Sequence, residues 1–136
     1  MPFVVDASIA AAWFMPDEFD PTAEHAFDLL KLGRAIAPAI WWFEVRNLLI
    51  INERRERISP EKSAGALALL RGLPIDLDRE PDEGMILFLA RQHGLTFYDA
   101  SYLDAAIRTD LPLVTLDRKL AAAARSQKVK LLSILA

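Results

Sequence analysis

The sequence predicts an α/β fold, a three-layer α/β/α sandwich with a central, mostly parallel sheet of about five short strands. Two observations carry this expectation. Short runs such as FVV at 3–5 and LPLVTL at 111–116 are apolar at successive positions, as strands buried on both faces are. Helix-length segments separate those runs, and parallel neighbours need such long crossovers. A chain of 136 residues can bury roughly two-thirds of the surface its unfolded form exposes, which suits one compact core. No Gly/Ser/Pro-rich linker, repeat or low-complexity tract interrupts it, so residues 1–136 read as one domain.

The elements follow from local signals. The β-branched and aromatic FVV is too short for a helix and stops at Asp6. Ser8 to Phe14 suits a short helix ended before Pro16, and Asp20-Pro21 supplies an N-cap and first-turn proline for a helix closing at Gly33. AIA at 35–37 is a second strand, and Ile40 to about Glu56 a helix whose late arginines suit its C-terminus. Ser59-Pro60 opens a helix ending near Gly72, before a third strand around PIDL at 74–77. Pro81 and Asp82 open a helix closed by His93-Gly94, and another runs from Tyr98 or Asp99 to about Arg108. LPLVTL is the clearest strand; Asp117, an Ala-rich helix and a last strand, KLLSIL at 130–135, complete the order.

Composition narrows the function classes. Sixteen Lys and Arg against 19 Asp and Glu give a net charge of -3, and 26% charged residues beside 53% hydrophobic ones exclude disorder. The chain has no Cys, which excludes a disulfide framework, a thiol nucleophile and thiolate metal sites, and fits a reducing cytoplasm. The apolar ASIAAAWFM lacks the basic flank of a signal peptide, since no Lys or Arg precedes Lys31, so secretion is not expected. The longest uncharged stretch, Ala7 to Pro16, is ten residues, about half of the roughly 20 needed to cross a bilayer, so no membrane span is expected.

In parallel sheets ligands bind beyond the carboxyl ends of the strands. Asp6 closes the first strand and Asp117 the fourth, Glu44 lies in the first turns of the helix after the second, and Asp99 begins a helix after LTFY. Each has an ordinary role when taken singly, as a cap, a turn residue or a first-turn acid favoured by the helix dipole. Together on one edge they would repel, by about 1 kcal/mol per pair at 4 Å in bulk water and about 4 at an effective dielectric of 20. A cation resolves the conflict, and hard oxygen ligands without His or Cys suit Mg²⁺ or Mn²⁺. Such an ion points to phosphodiester hydrolysis. Ser8, Asn47 and Thr115 are expected as neutral supporting donors that orient carboxylates or water. Setting aside the four acids moves the net charge from -3 to +1, with Arg46, Arg54, Arg55, Arg57, Arg118 and Lys119 available to phosphates. Asp104, five residues after Asp99, points about 140° away around a helix and is left out of the set.

VVDAS at 4–8, WWFEVRN at 41–47, LTFYDASYLDAA at 95–106 and LVTLD at 113–117, in this order and spacing, resemble a PIN domain, specifically a VapC-type toxin of a bacterial or archaeal toxin–antitoxin pair. The resemblance spans nearly the whole chain. It implies a magnesium- or manganese-dependent endoribonuclease, usually homodimeric, held inactive by a VapB-type antitoxin that also binds DNA, so that DNA is met only indirectly. By position it makes Asp6 and Asp99 the principal metal ligands and Glu44 and Asp117 the rest of an acidic quartet. Thr115 matches the family hydroxyl and Asn47 the polar residue one helical turn after the Glu.

Trp13, Phe14, Met15, Trp41 and Trp42 cannot all face inward, and the exposed ones suit a groove for a partner helix or a dimer interface. Two rival readings need no nuclease: a receiver-like module accepting a phosphoryl group on Asp, and a catalytically silent PIN-like protein that binds partners. The first lacks adjacent acids near the first strand and a Lys ending a late strand; the second is disfavoured by four intact acids.

Overall fold

The computed structural model describes residues 2–133. Four strands form one sheet: β1 (Phe3–Val5), β2 (Ala35–Pro38), β3 (Ile75–Asp78) and β4 (Leu113–Val114). Their order is β3-β2-β1-β4 and every pairing is parallel, with Val4 opposite both Ile36 and Leu113. Seven helices make the crossovers: α1 (Ala7–Phe14), α2 (Pro21–Leu29), α3 (Ile40–Arg54), α4 (Pro60–Gly72), α5 (Glu83–His93), α6 (Phe97–Thr109) and α7 (Arg118–Ser126). The expected three-layer α/β architecture is thus present.

Sequence signals explain most helix limits. Asp6, Asp20, Ser59, Asp82 and Asp117 each accept backbone N–H bonds at the start of a helix, and Pro21 and Pro60 occupy first-turn positions where no N–H is needed. Gly94 ends α5 in the left-handed conformation at φ 63°, which glycine adopts without Cβ strain. β1, buried at all three positions, lies between β2 and β4, and α6 packs across β1, β2 and β4. Residues 100–106 of α6 are all buried, so this helix is enclosed by α5, α7 and the sheet.

Five expectations about extent need correction. The strand expected over 111–116 keeps ladder pairing only at Leu113 and Val114, because Pro112 has no N–H and Thr115 turns its side chain to Asp6. The last strand shrinks to a single parallel bridge from Leu131 to Leu113, giving four strands and a bridge instead of about five; its expected end at 134–135 lies outside the described residues. α2 stops at Leu29 rather than Gly33, and α3 at Arg54 rather than Glu56. α6 begins at Phe97, capped by the Thr96 hydroxyl, which puts Asp99 inside the first turn and removes its reading as a cap.

Candidate functional site

Parallel strands end on one edge, and Asp6 follows β1 directly while Asp117 follows β4 through Thr115 and Leu116. Helices leaving those strands start on the same edge, which brings Glu44 of α3 to it. Asp99 arrives there because α6 begins on that edge before running back under the sheet. The four carboxylates line one open cleft of about 590 Å³, together with Ser8 and Asn47. The four acids expected on one edge thus line a single cleft.

Asp6 is buried and the most closely held of the four. Its Oδ1 accepts the Ala7 amide at 2.8 Å, and its Oδ2 accepts the hydroxyls of Ser8 at 2.8 Å and Thr115 at 2.6 Å. Those hydroxyls are themselves fixed, since Ser8 Oγ accepts the Leu116 amide and Thr115 Oγ1 the Asp117 amide. Asp117 in turn accepts the amides of Lys119 and Leu120. One network thus ties the end of β1 to the start of α7. Asn47 faces the cleft from exposed α3 surface.

Sequence reasoning missed Tyr102. Its hydroxyl donates to Glu44 Oε1 at 2.5 Å, joining α6 to α3 across the site. The signal was available: Tyr102 is three residues after Asp99, the spacing that puts two side chains on one helix face. The acid embedded in an apolar helix therefore has a phenol as its partner.

The electrostatics are those of a crowded acidic site. Burial raises the Asp6 carboxyl above its ordinary range, against the pull of Thr115, Ser8 and the Ala7 amide, and the Asp99 charge adds to the rise. Glu44 is raised first by partial burial and then by Asp6 and Asp99, with the Tyr102 bond opposing. Asp99 is raised by burial and by Asp117, while Thr96 and Lys119 pull it down. Burial and the adjoining Glu44 push the Tyr102 phenol far up, so it remains a donor. Burial is the main cause of each shift, and the neighbouring acids add to it.

The donor set suits a hard divalent cation, being oxygen throughout and negatively charged. Among the described residues, however, no group of three or more His, Asp or Glu side chains is arranged to hold an ion unaided. The same cleft is also lined by Glu18 and Asn52, which the sequence did not single out, and by Arg55 and Arg57, two of the basic residues expected to be available to phosphates.

Elsewhere the remaining expectations divide. Met15 and Trp41 are buried and Trp13 and Phe14 half-buried, so of the five residues expected to be divided between core and surface only Trp42 is exposed, beside Phe43 on α3. No helix among the described residues is long and apolar enough to cross a membrane. Asp104 is fully buried and pairs with Arg108, away from the cleft as its helical position required.

Comparison with known proteins agrees with this fold. The family profile of the PIN domain matches residues 3–126. Ribonuclease VapC3 of Pyrobaculum aerophilum is 33% identical over 125 residues, covering 89% of this chain and 93% of that protein. Ribonuclease VapC1 of Mycobacterium tuberculosis is 38% identical over 98 residues, covering 70% and 71% respectively. Among solved structures, PAE2754 from Pyrobaculum aerophilum superposes with a TM-score of 0.72 at 27% identity, over 90% of this chain and 84% of that one. FitAcB from Neisseria gonorrhoeae shares the fold, with a TM-score of 0.59 at 20% identity over 98% and 97%.

Proposed function

This chain belongs to the PIN domain family, and on that premise we propose that it is a divalent-metal-dependent endoribonuclease, the toxin of a toxin–antitoxin pair, working as one domain over residues 1–136. The observation that carries the reading is the shared cleft of Asp6, Glu44, Asp99 and Asp117, three of them with carboxyls raised by burial and by one another's charge. Family membership leaves no role for the receiver-like alternative.

Asp6 and Asp99 are the principal ligands of Mg²⁺ or Mn²⁺ in this reading, and Glu44 and Asp117 complete the set. When bound, such an ion polarises a phosphoryl oxygen, makes hydroxide available from water at neutral pH and stabilises the departing oxygen. The protein's part is orientation. Ser8 and Thr115 hold both the direction and the ionised form of Asp6, while Tyr102 does the same for Glu44. Asn47 stands one turn from Glu44, where its amide can orient water or a phosphate oxygen.

The relatives' names specify ribonuclease activity, and the resemblance adds a VapB-type antitoxin, a homodimer and contact with DNA only through that antitoxin. Exposed Trp42 and Phe43 offer apolar area for such a partner or second copy. The test is cleavage of RNA by the purified protein with Mg²⁺ or Mn²⁺, repeated with chelator and with Asp6→Asn and Asp99→Asn. Cleavage is expected with metal only, and lost in both variants. Activity that survives chelator, or both substitutions, refutes the mechanism; a folded wild type that never cleaves supports the silent alternative. Expression alone should arrest growth of the host, and Asp99→Asn should relieve the arrest.

A further inference from the structure

Six basic residues were available to phosphates from the sequence, and the fold separates them. Arg46 lies over the Trp42 ring at 3.9 Å and donates to the Trp42 carbonyl. Arg54, Arg118 and Lys119 do not line the cleft, whereas Arg55 and Arg57 do, with Arg55 eleven residues past Glu44 along α3, about 16 Å at the rise of a helix.

These two arginines are prepared differently. α3 ends at Arg54, and Glu56 then adopts a left-handed φ of 59°, a conformation uncommon for a residue with a Cβ. The turn folds the chain back, so that the Arg57 amide donates to the Asn52 carbonyl at 2.9 Å. The Arg57 guanidinium donates to buried Asn52 Oδ1 at 2.7 Å, Asp17 at 2.8 Å and Glu18 at 2.9 Å. Asn52 is itself fixed, donating to the Leu48 carbonyl at 2.7 Å. A guanidinium has five N–H donors, and these bonds occupy three. Arg55 is exposed and makes no ion pair among the described residues.

The cleft therefore holds, besides the four carboxylates, a guanidinium fixed by Asn52, Asp17 and Glu18 and a second one, Arg55, left free. A strand of nucleic acid carries a phosphate at every step, so if one phosphodiester is cleaved at the carboxylates, a neighbouring phosphate needs cations along the same cleft. We infer that Arg55 and Arg57 form a backbone-phosphate subsite for single-stranded RNA, with Arg57 pre-set by Asn52 and Glu18 and Arg55 closing on the phosphate. This rests on the ribonuclease reading for the substrate, but its contacts are measurable without turnover. Glu18 doubles as a brake, since it occupies part of Arg57 and places a negative charge beside the strand.

The experiment measures binding of a short labelled single-stranded RNA by fluorescence anisotropy, in an Asp99→Asn background with magnesium present, over a range of potassium chloride. Each phosphate contact on a single strand contributes about 0.7 to the slope of log affinity against log salt, and about threefold in affinity between 50 and 200 mM. Arg55→Gln should lower the slope by about 0.7, while Arg125→Gln on α7, outside the cleft, should leave it unchanged. In the enzyme with Asp99 intact, Arg55→Gln should raise KM with kcat retained, since the contact is equally strong before and during reaction. Glu18→Gln should tighten RNA binding, an outcome that a purely structural brace does not produce. Wild-type slopes in both Arg55→Gln and Arg57→Gln overturn the subsite, and unchanged or weaker binding by folded Glu18→Gln overturns the role of Arg57. Arg55-dependent binding in a protein that never cleaves RNA would leave the subsite standing and remove the ribonuclease reading. Cleavage without any Arg55 dependence would do the reverse.

Discussion

Asp99 and Asp104 are five residues apart on α6, and burial pushes both carboxyls above their ordinary range, yet their surroundings are opposite in kind. Asp104 is fully enclosed, and its Oδ2 accepts both the Arg108 guanidinium at 2.9 Å and the Asp82 amide. Arg108 reaches on to Asp78 at the end of β3. The acid has its cation built into the next turn of its own helix, and the group ties α6 to the β3–α5 connection. Asp99 faces three other carboxylates, and the nearest ammonium, Lys119, offsets little of the effect of burial and of Asp117. The buried acid with a resident cation serves the fold, whereas the half-buried one without it is, in the proposed function, where a cation from outside would bind.

The contrast is broken most directly by one substitution in each place. Asp99→Asn should reduce cleavage by more than the 10- to 100-fold typical of losing a group that merely supports a metal ligand, with a thermal midpoint equal to or above wild type. Arg108→Ala should do the opposite: it leaves Asp104 buried without its cation, lowering unfolding stability by about 3 kcal/mol. The low end of the usual range applies because Arg108 keeps a quarter of its side chain in solvent. Its rate per folded molecule should persist. Urea unfolding and cleavage rates on the same preparations decide, and a stability loss in Asp99→Asn matching that of Arg108→Ala would erase the distinction.

A smaller effect comes from pH. Because the Asp6 carboxyl is raised in the folded state, the native protein binds its proton more tightly than the unfolded chain does. Its contribution to stability is full below the ordinary Asp range and is lost as pH rises through the raised value. Asp6→Asn removes this dependence, so its thermal midpoint should gain on wild type as pH rises from 4 toward 7 without metal. Mn²⁺ at neutral pH should narrow the gap by stabilising the wild type alone, since binding to the native state adds stability. A constant difference between the two proteins across that interval would mean that Asp6 ionises as easily folded as unfolded.

Much of this architecture could be read from the chain because the informative signals are local. Asp20-Pro21, Ser59-Pro60 and His93-Gly94 fix helix limits through caps and special backbone angles that need no distant partner. The acids could be assigned to one edge because parallel topology alone puts all strand ends together. The short extent of β4 could not be read, since it depends on Thr115 leaving the ladder to reach Asp6, 109 residues away in sequence. The Arg57 cluster was hidden for the same reason: Asp17 and Glu18 meet Arg57 across about 40 residues, through a left-handed turn at a glutamate that no composition rule marks. The start of α6, expected at Tyr98 or Asp99, lies at Phe97, because the Thr96 hydroxyl takes the cap and accepts the Asp99 amide.

Tyr102 supplies the finest test, because it separates a ligand from the group that aims it. Its phenol donates to Glu44, and the hydroxyl is the polar tip of a residue otherwise packed in the core. Tyr102→Phe keeps the ring and removes only that donor, leaving the Glu44 carboxylate less stabilised and free to rotate in a partly buried position. Metal affinity should fall by about tenfold, the lower end of the range for losing an outer partner of a ligand, and saturating Mn²⁺ should restore most of the cleavage. Asp99→Asn should not be rescued in this way. Titration of activity against Mn²⁺ reads the difference: a shifted midpoint with a preserved plateau assigns Tyr102 to orientation, whereas a lost plateau at every concentration would mean that the phenol itself meets the substrate.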